Sequence, residues 1–139
     1  MDLGLKDKFA IVCASTKGLG FAVAKSLLEE SSEVVMCSSK ENNIVNAKNI
    51  LTKLGFKKFH IVKADLSTEQ GVRALFKFAI SKSAKIDILV NNCGGPDPGD
   101  FSQVTEGQLI DSFNKNLKNT FALTKLVLPV MESNNWGRI

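Results

Sequence analysis

The chain has 139 residues, 44% of them hydrophobic and 23% charged, with a formal net charge of +4. That is enough chain for one domain with its own core, and no apolar run reaches the length needed to cross a bilayer, so no membrane contact is expected. The basic residues are scattered, which argues against a nucleic-acid partner and leaves anionic small molecules to account for the positive excess.

Short β-rich apolar runs alternate along the chain with longer segments of helical period, the pattern of a parallel sheet with crossover helices. Phe9–Cys13, Glu33–Cys37, Phe59–Lys63 and Ile86–Asn91 read as strands one to four. Between the first two, Val23, Ala24, Leu27 and Leu28 lie on one side of a helix, while Lys25, Glu29 and Glu30 face away. A second helix is predicted over Glu41–Leu54, with Ile44, Ala47, Ile50, Leu51 and Leu54 inward and Gly55 as its stop. A third is predicted from Ser67, with a capping box of Ser67 and Gln70, and carries Val72, Leu75, Phe76 and Ala79 on its inner face.

After the fourth strand, a loop dense in Gly and Pro leads to one long helix over Thr105–Met131, opened by a Thr105 and Gln108 capping box and ended or kinked at Pro129. Trp136–Ile139 then reads as the approach to a fifth strand. The fold class is therefore α/β: a doubly wound parallel sheet of strand order 3-2-1-4-5, forming a single unit over residues 1–139 and stopping at the start of strand five.

The N-terminal segment has neither the basic nor the apolar region of a secretion leader, so a cytoplasmic location is expected. Cys13, Cys37 and Cys93 lack metal-ligand spacing, and the single histidine, His60, is remote from them. No metal is expected, and the thiols read as small buried residues of a reducing compartment.

Gly18-Leu19-Gly20 follows strand one and opens the first helix, where a backbone without Cβ lets a pyrophosphate approach the helix N–H groups. Asn91-Asn92-Cys93-Gly94-Gly95 ends strand four. In a doubly wound sheet, strands one and four meet at the topological switch point, so both glycine-bearing loops border one crevice.

In order, these residues resemble the short-chain dehydrogenase/reductase family, including its 3-oxoacyl-acyl-carrier-protein reductase-like members, and the resemblance implies a Rossmann-type domain. Cys13-Ala-Ser-Thr-Lys-Gly-Leu-Gly20 stands where the family has Thr-Gly-x-x-x-Gly-x-Gly. Asp65 stands where it has the acid after strand three, Asn91-Asn92-Cys93-Gly94 where it has Asn-Asn-Ala-Gly, and Asn116 where it has the helix asparagine. The resemblance implies that Ser15, Thr16, Lys17, Gly18, Leu19 and Gly20 form the pyrophosphate loop and that Asp65 and Leu66 meet the adenine. Asn91, Cys93 and Gly94 would lie along the adenosine ribose, and Asn116 would join the catalytic proton relay. Ala14 replaces the first glycine of the turn, and alanine is tolerable there only at negative φ, so a slightly displaced loop is expected.

An NAD-selective enzyme places an acid at the end of strand two, where this chain has Ser38. Ser38, Ser39, Lys40 and Lys17 offer hydroxyls and ammonium groups to a 2′-phosphate, so NADP(H) is favoured over NAD(H). The implied activity is hydride transfer with a small carbonyl or alcohol substrate, in a homo-oligomer, dimer or tetramer, formed through the long helix, whose outward Phe121 and Leu128 serve either a partner or the core of the chain that would follow.

The family's catalytic serine, tyrosine and lysine fall after the fifth strand, and this chain has no tyrosine, so by itself it is expected to be inactive. Two explanations differ in kind: the N-terminal part of a full reductase, or a complete, non-catalytic nucleotide-binding or partner-binding module. The first is favoured because a sheet ending there leaves an open edge. A Rossmann-like methyltransferase is the third reading, weakened because its cofactor ribose also calls for an acid where Ser38 stands.

Overall fold

The computed structural model describes residues 1–95 and 98–139. Four strands, β1 (Phe9–Val12), β2 (Glu33–Ser38), β3 (Phe59–Lys63) and β4 (Ile88–Val90), pair in the order β3-β2-β1-β4. All three pairings are parallel. Helices α1 (Gly18–Glu29), α2 (Glu41–Lys53) and α3 (Glu69–Lys82) make the crossovers. Beyond β4, a short 3-10 turn (Phe101–Gln103) precedes α4 (Glu106–Phe113), a π-helical turn (Asn114–Lys118) and α5 (Asn119–Ser133).

The two-residue period of a strand sends alternate side chains to opposite faces, and here both faces are buried. Phe9, Ile11, Val35 and Cys37 point to one layer, where α3 contributes Val72, Leu75 and Ala79 and α5 contributes Leu123, Val127 and Met131. Ala10, Val12, Val34 and Met36 point to the other, against Ala24, Leu27 and Leu28 of α1 and Leu51 of α2. Each large side chain so buried stabilises the fold by roughly 1.5–3 kcal/mol.

The fifth strand is present as its first contact. Arg138 bridges Ile88 in parallel, its N–H donating to the Asp87 carbonyl and its carbonyl accepting from Leu89 N–H, each at 2.9 Å. Asp87 also accepts from Phe9 N–H through Oδ2 at 2.8 Å, which pins the start of β1 to the segment before β4. The switch point between β1 and β4 lies where the sequence places it.

Several local expectations are corrected. Val23, Ile50 and Leu54 are exposed, because the stripe that meets the sheet is narrower than the apolar face. Thr68, not Ser67, caps α3: its hydroxyl accepts from Gly71 N–H, while Ser67 binds back to Asp65. The helix expected over Thr105–Met131 is interrupted by the π turn, although its Thr105 and Gln108 capping box forms as expected. Pro129 stands inside α5.

Ala14 does not keep negative φ; it lies at +45°. A left-handed alanine costs about 1–2 kcal/mol, partly offset against glycine by about 0.5–1 kcal/mol of chain entropy. Ala14→Gly should therefore raise stability by about 0.5–1 kcal/mol, read as a higher denaturant midpoint at unchanged slope. An unchanged or lower midpoint would remove strain from the description of this turn.

Candidate functional site

The ends of β1, β2, β3 and β4 open into a cleft of about 210 Å³, lined by Ala14, Cys37, Ser38, Ser39, Ala64, Asp65, Leu66, Ser67, Cys93, Gly94, Gly95 and Lys115. Loops from all four strands thus meet at one crevice, as a parallel sheet requires at its carboxyl edge.

The glycine loop reaches this cleft through Ala14. Lys17 is the N-cap of α1, yet its side chain makes no bond to the helix, and the first turn holds no acid. In contrast, α3 and α4 are capped by Thr68 and Thr105. The leading N–H groups of α1 and the positive end of its dipole are left for an anion. Gly18 has φ +57° and open space where a Cβ would stand, whereas a Cβ on Gly20 would lie 2.5 Å from the Ala14 carbonyl oxygen. Gly18 thus permits the turn and ligand approach, and Gly20 permits the helix to close on the strand end.

Ser15 and Thr16 are buried beneath this loop. The Ser15 hydroxyl donates to the Val12 carbonyl at 2.6 Å and accepts from Cys37 N–H, and the Ser15 N–H donates to the Cys37 carbonyl. These bonds staple β1 to β2, so Ser15 shapes the loop and its side chain does not face the cleft.

Asn92, which sequence reasoning left unassigned, is the clamp: its Nδ2 donates to the carbonyls of Cys13 and Ala14 at 3.2 and 3.3 Å. The quoted Asn91-Asn92 pair held the signal but not which residue would reach the loop. Asn91 instead donates to Thr124 Oγ1 on α5 at 3.1 Å and is absent from the lining of this cleft. Gly94 and Cys93 do line it. Pro96 of the turn-dense loop lies outside the described residues.

At the end of β2, Ser38 accepts from Lys40 N–H at 3.2 Å, leaving its own hydroxyl proton available to a ligand. Ser39 lines the cleft beside it; Lys17 and Lys40 do not, and both are exposed at its margin.

After β3, Asp65 Oδ1 accepts from Ser67 N–H at 2.9 Å and from its hydroxyl at 2.7 Å. Those bonds, the hydroxyl's foremost, hold the carboxyl below its ordinary value of 3.8, with Lys115 contributing at longer range. A Cβ on Gly71 would overlap the Asp65 carbonyl oxygen, and Asn119 Nδ2 donates to the Leu66 carbonyl at 2.7 Å. Gly71 and Asn119 are therefore further positioning residues that the sequence left unmarked.

Asn116 sits in the π turn. Its Oδ1 accepts from the Cys93 thiol at 2.6 Å and its Nδ2 donates to the Ser112 carbonyl at 2.8 Å. Burial raises the Cys93 thiol, which keeps it a donor, and pushes Cys37 up to about 11. Cys13 is raised further for the same reason. No group of His, Cys, Asp and Glu among the described residues is arranged to hold a metal.

Residues 8–139 match the model of the short chain dehydrogenase family. The chain belongs to the short-chain dehydrogenase family. It is 35% identical to dehydrogenase/reductase SDR family member 4 of Caenorhabditis elegans over 135 residues, covering 96% of this chain and 52% of that protein. Among solved structures, it superposes with TM-score 0.87 on a 7α-hydroxysteroid dehydrogenase complexed with NADH and 7-oxo glycochenodeoxycholic acid, at 32% identity, covering 96% of this chain and 51% of the other. An actinorhodin polyketide ketoreductase with NADPH also gives TM-score 0.87, at 27% identity and the same coverages, 96% and 51%. The chain spans about half the length of the curated relatives it matches. Family membership sets aside the methyltransferase reading. No helix of the described residues is long and apolar enough to cross a membrane.

Within this short-chain dehydrogenase, the Asp65 carboxylate favours its turn above the ordinary value of 3.8 and loses that preference as pH falls through its lower folded value. Carboxyl-carbon NMR should give a titration midpoint below 3.8, and Ser67→Ala should move it up toward 3.8. A midpoint unmoved by the substitution would mean that the Ser67 bonds do not hold the charge.

Proposed function

We propose that this chain is the cofactor-binding part of an NADP(H)-dependent short-chain oxidoreductase, forming a single dinucleotide-binding unit over residues 1–139. The observation that carries the reading is the pairing of an α1 N-terminus that has no side-chain cap and no first-turn acid with a cleft, entered by the preceding loop at Ala14, whose β2 edge presents Ser38 and no acid. The residues fit such a cofactor: Gly20 makes room for the helix to approach, and Gly18 leaves the anion's path clear.

The N–H groups of Gly18, Leu19 and Gly20 take the pyrophosphate. Asp65 and Leu66 hold the adenine, and Gly94 lets the ribose lie close to the end of β4. Ser38 and Ser39 donate hydroxyl bonds to a 2′-phosphate, with Lys17 and Lys40 adding positive charge from the rim. Asn116, fixed at both ends of its amide, lines a second cleft of about 510 Å³ with Gly95, Ser112 and Lys115. There it orders the proton relay next to a small carbonyl or alcohol substrate. The nicotinamide supplies the hydride when bound; the chain's own role is to bind and orient it. Three free thiols, two of them buried, suit the reducing cytoplasm, where we place the protein.

Titration calorimetry of the full native protein with NADPH and NADH tests the cofactor preference. NADPH should bind about tenfold more tightly, roughly 1.4 kcal/mol, and Lys17→Ala with Lys40→Ala should remove most of that margin. Equal affinities, or a margin that survives both substitutions, would reject the assignment to these residues.

We also propose that the protein self-associates through α4, the π turn and α5. Leu109, Phe113, Leu117, Phe121 and Leu128 are all exposed, and the first four recur at four-residue spacing. Phe113→Glu with Phe121→Glu should shift the sedimentation coefficient of the full native protein to that of a monomer while its circular dichroism stays unchanged. An unaltered oligomer would place the interface elsewhere.

A further inference from the structure

Lys115 is the one cationic side chain among the described residues that line the 210 Å³ cleft, where Asp65 is the one acid. It stands in the π turn, exposed, and shares the lining with Ser38, Ser39 and the Asp65–Ser67 turn. The same side chain lines the 510 Å³ cleft with Gly95 and Asn116, and a groove of about 340 Å³ with Ser67, Asp111 and Lys118. Lys115 therefore borders each of these openings.

Two features make that group available to a ligand. Among the described residues it enters none of the five ion pairs, which involve Lys8, Lys25, Lys58, His60 and Arg73. Its charge also favours the ionised Asp65 carboxyl, as a smaller contribution than the two Ser67 bonds. The Asp65 carboxylate would otherwise turn a negative potential on any polyanion entering the cleft, and Coulomb repulsion grows with each charge the ligand carries.

We propose that Lys115 is a specificity-determining residue of the crevice, the countercharge to Asp65 that lets the cleft accept an adenosine dinucleotide and favours the 2′-phosphorylated form. The inference rests on the nucleotide-binding reading above. The 2′-phosphate adds up to two negative charges, so losing the ammonium penalises the phosphorylated dinucleotide more than the plain one. A π turn suits this role, because its wider backbone sets residue 115 apart from the regular helical face.

The test is calorimetric binding of NADPH and NADH to the full native protein and to Lys115→Met, which keeps the apolar stem and removes the charge. NADPH affinity should fall about fivefold more than NADH affinity at low salt, and the difference should shrink as salt rises. Lys115→Arg should restore the preference. Equal losses for the two dinucleotides, or changes within twofold for both, would overturn the proposal. If the unsubstituted protein binds neither dinucleotide, the nucleotide-binding reading fails first and this inference with it. Lys115 is exposed and its melting temperature should stay put, so a variant that unfolds would also count against a ligand-facing role.

Discussion

Where β1 ends, its last carbonyls have lost their strand partners but remain under the helix layer, and the side chain of Asn92 answers for two of them. Its Nδ2 reaches the carbonyls of both Cys13 and Ala14. A buried carbonyl without a partner costs about 1–3 kcal/mol, so this amide holds the first loop in one shape. The rest of the site is arranged around that contact. Helix α1 closes on the Asn92 amide and the Ala14 carbonyl, and only glycine at position 20 leaves room for it. Ala14 is forced into the left-handed region, and Ser15 turns inward to staple β1 to β2. The result is a strained loop held by its surroundings, followed by an α1 N-terminus without a side-chain cap.

The other loops at the crevice are held by the same kind of bond, side chain to backbone, where sheet pairing has run out. Asp65 is fixed by both donors of Ser67, Leu66 by Asn119, and the start of α3 by Thr68. Across the opening, Cys93 ties the β4 loop to Asn116, whose amide is also anchored to Ser112. Groups held this way need little reordering when a ligand arrives, which lowers the entropy cost of binding. The sheet supplies position, and these polar ties supply direction.

The apolar layers set what the polar ties can reach. Leu123, Val127 and Met131 seat α5 on the same side of the sheet as α3, and that seating brings Asn119 to Leu66 and Thr124 to Asn91. It also swings the π turn over the crevice, so that Asn116 and Lys115 face loops from two different strands. Burial in these layers keeps Cys13 and Cys37 neutral, as parts of the core.

The amino-acid sequence by itself determined whatever depends on near neighbours. Alternating apolar runs specified the strands, helical spacing specified the faces of α3, and Thr105 with Gln108 specified the start of α4, because each involves residues within a few positions of one another. The family pattern placed the crevice for the same reason, since its motifs are short and contiguous. Tertiary structure alone decided the φ of Ala14, the choice of Asn92 over Asn91 as clamp, the demand for Gly71, and the exposure of Lys115 in the lining of the crevice. The Ser67 and Gln70 spacing favoured Ser67 as the cap of α3, and the structure overrides it because the Asp65 carboxylate takes the Ser67 hydroxyl and Thr68 receives Gly71 N–H. Asn92 and Cys13 are 79 residues apart, and no local spacing encodes a contact that forms only when two layers have packed on the sheet between them.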